Sequence, residues 1–145
     1  MNSLRTILRY WLWILVVAML LQIAFAGYGA FDASDKAAAG SLDEEAFDDS
    51  FGLHTGFAYL IILGSLVTVV LAVAARVGRQ NVLYAVGIFV LLIAQMFLGW
   101  TGADLPGVFG ALHPLDAVLI LGATAWLAVR LREEPMAVAA PSATA

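Results

Sequence analysis

Four long apolar segments alternate with short polar segments along this chain of 145 residues. They cover residues 7–26, 52–75, 82–100 and 108–129. Each has about the 20 residues needed to cross the hydrocarbon core of a bilayer, and a helix satisfies its own backbone polar groups there. The pattern therefore predicts an all-α fold, an integral membrane four-helix bundle. We expect helices at about 5–27, 52–76, 81–101 and 106–131, forming a single transmembrane domain over residues 1–134.

The basic residues indicate how the bundle is oriented. With four crossings, six of the seven Lys and Arg residues fall on one side of the membrane, and only Lys36 falls on the other. The six are Arg5, Arg9, Arg76, Arg79, Arg130 and Arg132. Because Lys and Arg are retained on the cytoplasmic side, we expect both termini in the cytoplasm and the chain in a bacterial inner membrane. An alternative is that helix 1 is a secretory signal, since Ala24-Phe25-Ala26 resembles a cleavage site.

Residues 27–51 connect the first two apolar segments and contain seven carboxylates: Asp32, Asp35, Asp43, Glu44, Glu45, Asp48 and Asp49. We expect an extracytoplasmic loop there. It is either a plain solvated connection or a surface that steers a cationic redox partner or membrane complex. At the other end of the chain, the composition of residues 135–145 is rich in Ala and Pro and predicts a disordered tail.

Composition excludes several kinds of site. Hydrophobic residues make up 63% of the chain, which is far above the usual share in a soluble domain. There is no cysteine, so disulfides, iron–sulfur clusters and thiolate ligands are excluded. No basic cluster indicates nucleic-acid binding. The lipid bilayer is therefore the first partner that the sequence predicts.

The chain has two histidines, and both lie near the outer end of a predicted helix. His54 is in helix 2 and His113 in helix 4, and both helices run inward from the same surface. Ionisable groups inside a membrane normally face a partner or a cofactor, and neutral imidazole is a good axial ligand for haem iron. Small residues at helical spacing would leave room for a flat macrocycle: Ala58, Gly110 and Ala117. We favour paired ligation of haem over two separate interfacial histidines.

Other polar groups have two interpretations. Asp116 could accept a hydrogen bond from His113 or Thr55 and so orient a ligand, or it could lie among the lipid headgroups. Gln95 in the middle of helix 3 could join helices or touch a cofactor, and joining helices is the default. Zinc is less favoured than haem, because no cysteine accompanies the two histidines. Met19 and Met96 are expected to pack in the core.

Three segments together resemble one four-helix half of haem A synthase. They are the outer His54, Gln95-Met96-Phe97-Leu98-Gly99, and Leu112-His113-Pro114-Leu115-Asp116-Ala117. In that family each half carries one histidine on its second and fourth helices. The resemblance implies that His54 and His113 are the axial pair of one haem site on the extracytoplasmic side. It covers residues 52–130, and it implies haem b and its iron as the cofactor.

The chain also departs from that family. Four helices supply one histidine pair, where haem A synthase has two halves. The Glu ahead of the helix 2 histidine is missing, with Asp49 the nearest carboxylate, and Thr55 stands where Arg is frequent. The half that binds haem b without modifying it is the better guide, so we do not expect haem A synthase activity. We expect a cytochrome-b-like protein for electron transfer or haem handling. The alternative is a cofactor-free subunit of a larger complex, and a homodimer would restore eight helices.

Overall fold

The computed structural model describes the backbone at residues 2–104 and 107–133 and the side chains at 3–101 and 107–132. Within these residues the chain forms four α-helices: α1 Asn2–Ala38, α2 Glu44–Ala74, α3 Arg79–Asp104 and α4 Val108–Glu133. Each is long and apolar enough to cross a membrane. The prediction of an all-helical protein with four candidate spans is therefore confirmed. The predicted tail over 135–145 lies outside the described residues.

The helices form an up-and-down bundle. Each packs against the next in the chain, and α4 returns to pack against α1. Hydrogen bonds from Trp11 to the Gly64 carbonyl and from Gln22 to the His54 carbonyl pair early residues of α1 with late residues of α2, so the two helices are antiparallel. The arrangement places α2 and α4 on one diagonal of the bundle. A side chain from each can therefore meet at the centre.

Helices α1 and α2 are longer than the sequence analysis expected. The predicted loop over residues 27–51 is wrong, because only residues 39–43 lie between the two helices. Asp43 caps α2 by accepting a hydrogen bond of 2.8 Å from the backbone N–H of Ala46. Glu44 and Glu45 follow in the first turn, where negative charge interacts favourably with the helix dipole. The acidic residues thus begin a helix, where a loop was expected.

Lys36 links α1 to α2 in the parts of these helices that lie beyond the predicted bounds. Its ammonium group lies 2.8 Å from Asp32 in its own helix. It also donates to the Ala46 carbonyl at 3.1 Å and to Ser50 Oγ at 3.0 Å, both in α2. The Ser50 hydroxyl in turn donates to Asp32 at 2.7 Å. We call this end of the bundle the acidic end, and the end that carries the six arginines the basic end.

At the basic end, Arg130 joins α4 to α3. Its Nε donates to Asn81 Oδ1 at 2.8 Å, and Asn81 itself is 3% exposed. The guanidinium carbon lies 5.6 Å from the ring centroid of Tyr84 and 5.3 Å from that of Trp126, within cation–π range. A basic side chain near the end of a helix is thereby held against its neighbour.

The hydrophobic core is concentrated towards the basic end. Among the described residues, each helix contributes fully buried apolar side chains there, such as Leu12 in α1, Ala85 in α3 and Leu127 in α4. Midway along the bundle, every helix contributes one buried apolar residue that also lines the central space: Met19, Ile61, Leu92 and Ile120. We call these four residues the floor layer. Between the floor layer and the contacts of Lys36, the helices leave space at the centre.

Candidate functional site

The two histidines meet in this central space. His54 of α2 and His113 of α4 lie with their ring centroids 6.1 Å apart, and the ring planes are 65° to each other. Both rings are half-buried. The two helices are on a diagonal, so the imidazoles approach from opposite sides of the bundle axis. The sequence analysis expected this meeting from their matched depth.

Main-chain carbonyl groups fix which ring nitrogen carries the proton. Nδ1 of His54 lies 3.1 Å from the carbonyl oxygen of Gln22 in α1, and Nδ1 of His113 lies 3.1 Å from that of Gln95 in α3. A carbonyl oxygen can only accept, so each Nδ1 must be the donor. A neutral imidazole has one N–H, and each Nε2 therefore keeps a lone pair. A hydrogen bond from one ring nitrogen to a carbonyl is typical of imidazoles that bind metal through the other.

Asp116 accepts no hydrogen bond from Nδ1 of His113, so one of its two predicted roles is not observed. The donor of the imidazole is bonded to the Gln95 carbonyl. Asp116 is half-buried in α4, and its Oδ2 is buried with no hydrogen-bond partner among the residues that the structure describes. Asp116 Oδ2 therefore accepts no hydrogen bond from Thr55 either.

The side-chain amides of the two glutamines complete the polar part of the site. The Gln22 amide donates to the main-chain carbonyl of His54 at 2.8 Å, whereas the Gln95 amide lies 3.3 Å from Nε2 of His113. In both glutamines Oε1 is buried and, within the described part of the chain, has no hydrogen-bond partner. The sequence analysis missed Gln22. The sequence contains one indication of its role, because Gln22 is a lone amide inside the apolar run of α1 and such a polar group usually faces the bundle interior.

An apolar cavity of about 280 Å³ contains these groups. Its lining includes both histidines, both glutamines, the floor layer, and two small residues that the sequence analysis selected, Ala58 and Ala117. Met96 also lines it. Ile23 of α1 and Val118 of α4 line the cavity and are 49% and 64% exposed, so the cavity reaches the bundle surface between these helices. Gly110 and Asp116 were predicted site residues but are not among its lining residues.

Gly99 sets how closely His113 approaches α3. A Cβ atom on Gly99 would lie 3.1 Å from Cε1 and 3.3 Å from Nδ1 of His113. Gly99 is one helical turn after Gln95, so the imidazole lies along that turn of α3. A side chain at this position would require the ring or the helix to shift by a few tenths of an ångström.

The spacing of the rings suits two ligands on opposite sides of one metal ion. A metal–imidazole bond of about 2 Å, added to roughly 1 Å from the nitrogen to the ring centre, gives about 6 Å between centroids for an opposed pair. The separation is 6.1 Å. Among the described residues no cluster of three or more His, Cys, Asp or Glu side chains could hold a metal ion. The side-chain atoms of the cavity lining that could bind a metal are therefore two imidazole nitrogens, two amide oxygens and two thioether sulfurs.

Comparison with known proteins gives one match. The profile of a family of unknown function (DUF6220) matches residues 22–102, which is more than half of the chain. The chain belongs to the DUF6220 family. The DUF6220 match contains Gln22, His54, Gln95 and Gly99, while His113 lies beyond its end. No curated protein and no solved structure matches the chain.

Proposed function

We propose that this DUF6220 protein is a b-type cytochrome-like membrane protein that holds one haem b between His54 and His113. The observation that carries the proposal is the opposed histidine pair, with ring centroids 6.1 Å apart and each Nδ1 bonded to a main-chain carbonyl. With Nδ1 as the donor in both rings, each Nε2 is the nitrogen left for ligation. The resemblance to one half of haem A synthase supports the same pair.

The charge of the site favours haem over a bare metal ion. A divalent cation held by two neutral imidazoles in an apolar cavity would keep its full charge where desolvation is most costly. Within the described residues, no carboxylate lines the cavity to balance that charge. A porphyrin brings two negative charges of its own and cancels the charge of ferrous iron. The apolar lining then suits the rest of the macrocycle.

A haem held by His54 and His113 would supply one-electron transfer, with the Nε2 atoms of both residues engaged in holding it. The residues of the chain hold and orient the group. The carbonyls of Gln22 and Gln95 keep the imidazoles in one tautomer and one ring orientation. The floor layer separates the site from the half of the bundle that bears the arginines. Electron transfer or haem handling is thus favoured over oxygen chemistry.

We propose that the protein lies in a bacterial inner membrane with its basic end in the cytoplasm. The six arginines at that end follow the positive-inside rule. The histidine pair then lies in the extracytoplasmic half of the bundle. The acidic end is exposed on that side, where its carboxylates would attract a cationic redox partner or a membrane complex.

The test is the absorption spectrum of the protein purified after expression with ample haem. We expect the Soret and visible bands of low-spin haem. Replacing either histidine by Ala should abolish the low-spin spectrum, whereas Thr124→Val should preserve it. Thr124 is a suitable control because it is buried on the same helix as His113, and its hydroxyl donates to the Ile120 carbonyl of its own helix.

A second variant separates ligand loss from misfolding. Added imidazole should restore the low-spin bands of His113→Gly by occupying the space that the side chain leaves. A wild-type protein that is folded and colourless in the presence of excess haem would refute the proposal. A colourless protein that purifies with a stable membrane partner would instead support the alternative of a cofactor-free subunit.

A further inference from the structure

The two histidines are held by similar backbone contacts but by different side-chain contacts. In each helical hairpin, a histidine donates from Nδ1 to the carbonyl of a glutamine on the neighbouring helix. The side chain of Gln22 then bonds to the main chain of His54. The side chain of Gln95 bonds instead to the ring of His113, at Nε2. The pair is therefore symmetric in its backbone contacts and asymmetric at the nitrogens that would bind iron.

The orientation of the Gln95 amide follows from the tautomer of His113. The single N–H of the neutral ring is at Nδ1, so Nε2 can only accept. The amide group 3.3 Å away must therefore present its NH₂ and not its oxygen. Gln95 Oε1 then points elsewhere, and among the described residues it has no hydrogen-bond partner. No hydrogen bond within the described part of the chain engages Nε2 of His54.

We propose that Gln95 is a positioning residue that competes with haem iron for Nε2 of His113. This inference rests on the proposed haem site. It makes His54 the permanent ligand and His113 the exchangeable one. Exchange breaks one bond between iron and nitrogen and forms one N–H···N hydrogen bond, and it moves no proton and no electron. The face of the haem on the His113 side then becomes available to a small neutral ligand.

Carbon monoxide is a suitable probe, because it binds reduced haem only where an axial position opens. We expect the reduced, haem-loaded protein to convert to the carbon monoxide form at a rate that reaches a plateau as the gas concentration rises. That plateau rate reports the release of His113. Gln95→Leu removes the competing donor. Because the N–H···N bond forms as the iron–nitrogen bond breaks, its loss should lower the plateau rate, by up to about fivefold for a hydrogen bond of ordinary strength.

Gln22→Leu is the matched control. It also removes one amide from the cavity lining, but the lost contact is to the main chain of His54 and not to its ring. We expect its plateau rate to equal that of the wild type. If Gln95→Leu does not accumulate, Gln95→Met makes the same test with an unbranched side chain. The low-spin ferric spectrum of each variant shows that the haem site is intact.

The possible results separate this inference from the function on which it rests. Slower conversion in the Gln95 variant alone supports the inference. A low-spin haem protein that does not bind carbon monoxide, or equal rates in all three proteins, overturns the inference and leaves the proposed function in place. Equal slowing in both glutamine variants also overturns it, since the effect would then be one of general packing. The absence of a haem spectrum overturns the proposed function itself.

Discussion

Replacing Gly99 by Ala tests the geometry of the histidine pair with a single methyl group. The new Cβ would lie 3.1 Å from Cε1 of His113. Carbon atoms in contact are normally about 3.5–4.0 Å apart, so the ring must move by roughly 0.4 Å or more. That movement would disturb the 3.1 Å contact between Nδ1 and the Gln95 carbonyl, which holds the ring in place.

The cost of this displacement can be estimated. Turning the imidazole off its preferred rotamer costs about 0.5–1.5 kcal/mol, which corresponds to roughly a two- to tenfold weaker haem affinity. Helix propensity acts in the opposite direction on the unliganded protein, since Gly→Ala in a helix stabilises by about 0.5–1 kcal/mol. The substitution should therefore weaken haem binding without a comparable loss of fold stability.

The assay is a titration of haem into the purified apoprotein, followed at the Soret band and paired with thermal unfolding in the same detergent. Gly87→Ala is the matched control, because Gly87 is also in α3 and a Cβ there would meet no atom within 4 Å. We expect the control to be stabilised and to bind haem as the wild type does. Wild-type haem affinity in the Gly99→Ala protein would refute the argument that His113 must contact α3 at this turn in order to bind iron.

Three further predictions concern the fold and its orientation. The chain has no native cysteine, so single introduced cysteines report on topology. Ser41→Cys should react with a membrane-impermeant maleimide on intact cells, and Ser3→Cys should react only after lysis. The reverse pattern would contradict the proposed topology. Trp11→Phe removes the 2.9 Å hydrogen bond to the Gly64 carbonyl and should cost about 0.5–1.5 kcal/mol of unfolding free energy, with haem affinity unchanged. Lys36→Met should change the unfolding free energy little, since the ion pair is partly exposed, but it should speed amide hydrogen exchange at the start of α2, measured by mass spectrometry.

The four helices and the meeting of the histidines could be predicted from the sequence. Apolar length alone determines how many segments can cross a bilayer. Counting the crossings then places His54 and His113 at one depth on two helices that run in the same direction. This counting does not determine how each helix is rotated about its own axis. The distance of 6.1 Å between the ring centroids depends on that rotation. It is set by packing contacts such as Gly99 against His113, which no periodicity reveals.

The partners of the imidazoles could not be predicted in the same way. In the sequence, Asp116 stands three residues from His113 in the same helix, and orienting that histidine was one of two interpretations of it. The structure uses main-chain carbonyls of α1 and α3 instead. Every residue has a carbonyl, so its position carries no sequence signal. The acidic segment was misjudged for a related reason. Its carboxylates were counted as solvent-exposed charge, although Asp43 acts locally as a helix cap and Asp32 pairs with Lys36.

The position of the cavity follows from where the bundle is fixed. Below it, the floor layer packs one buried residue from each helix. Above it, the hydrogen bond from Lys36 to Ser50 links α1 to α2. Gly29 lets α1 approach α2 closely there, since a Cβ atom on Gly29 would lie 2.7 Å from the Ser50 carbonyl oxygen. Helices α1 and α2, held at both levels, cannot easily collapse onto each other between them. The cavity of about 280 Å³ lies at this position and opens to the bundle surface beside Ile23 and Val118. Both histidines and both glutamines line this cavity, so the position of the polar groups follows from the same two sets of contacts.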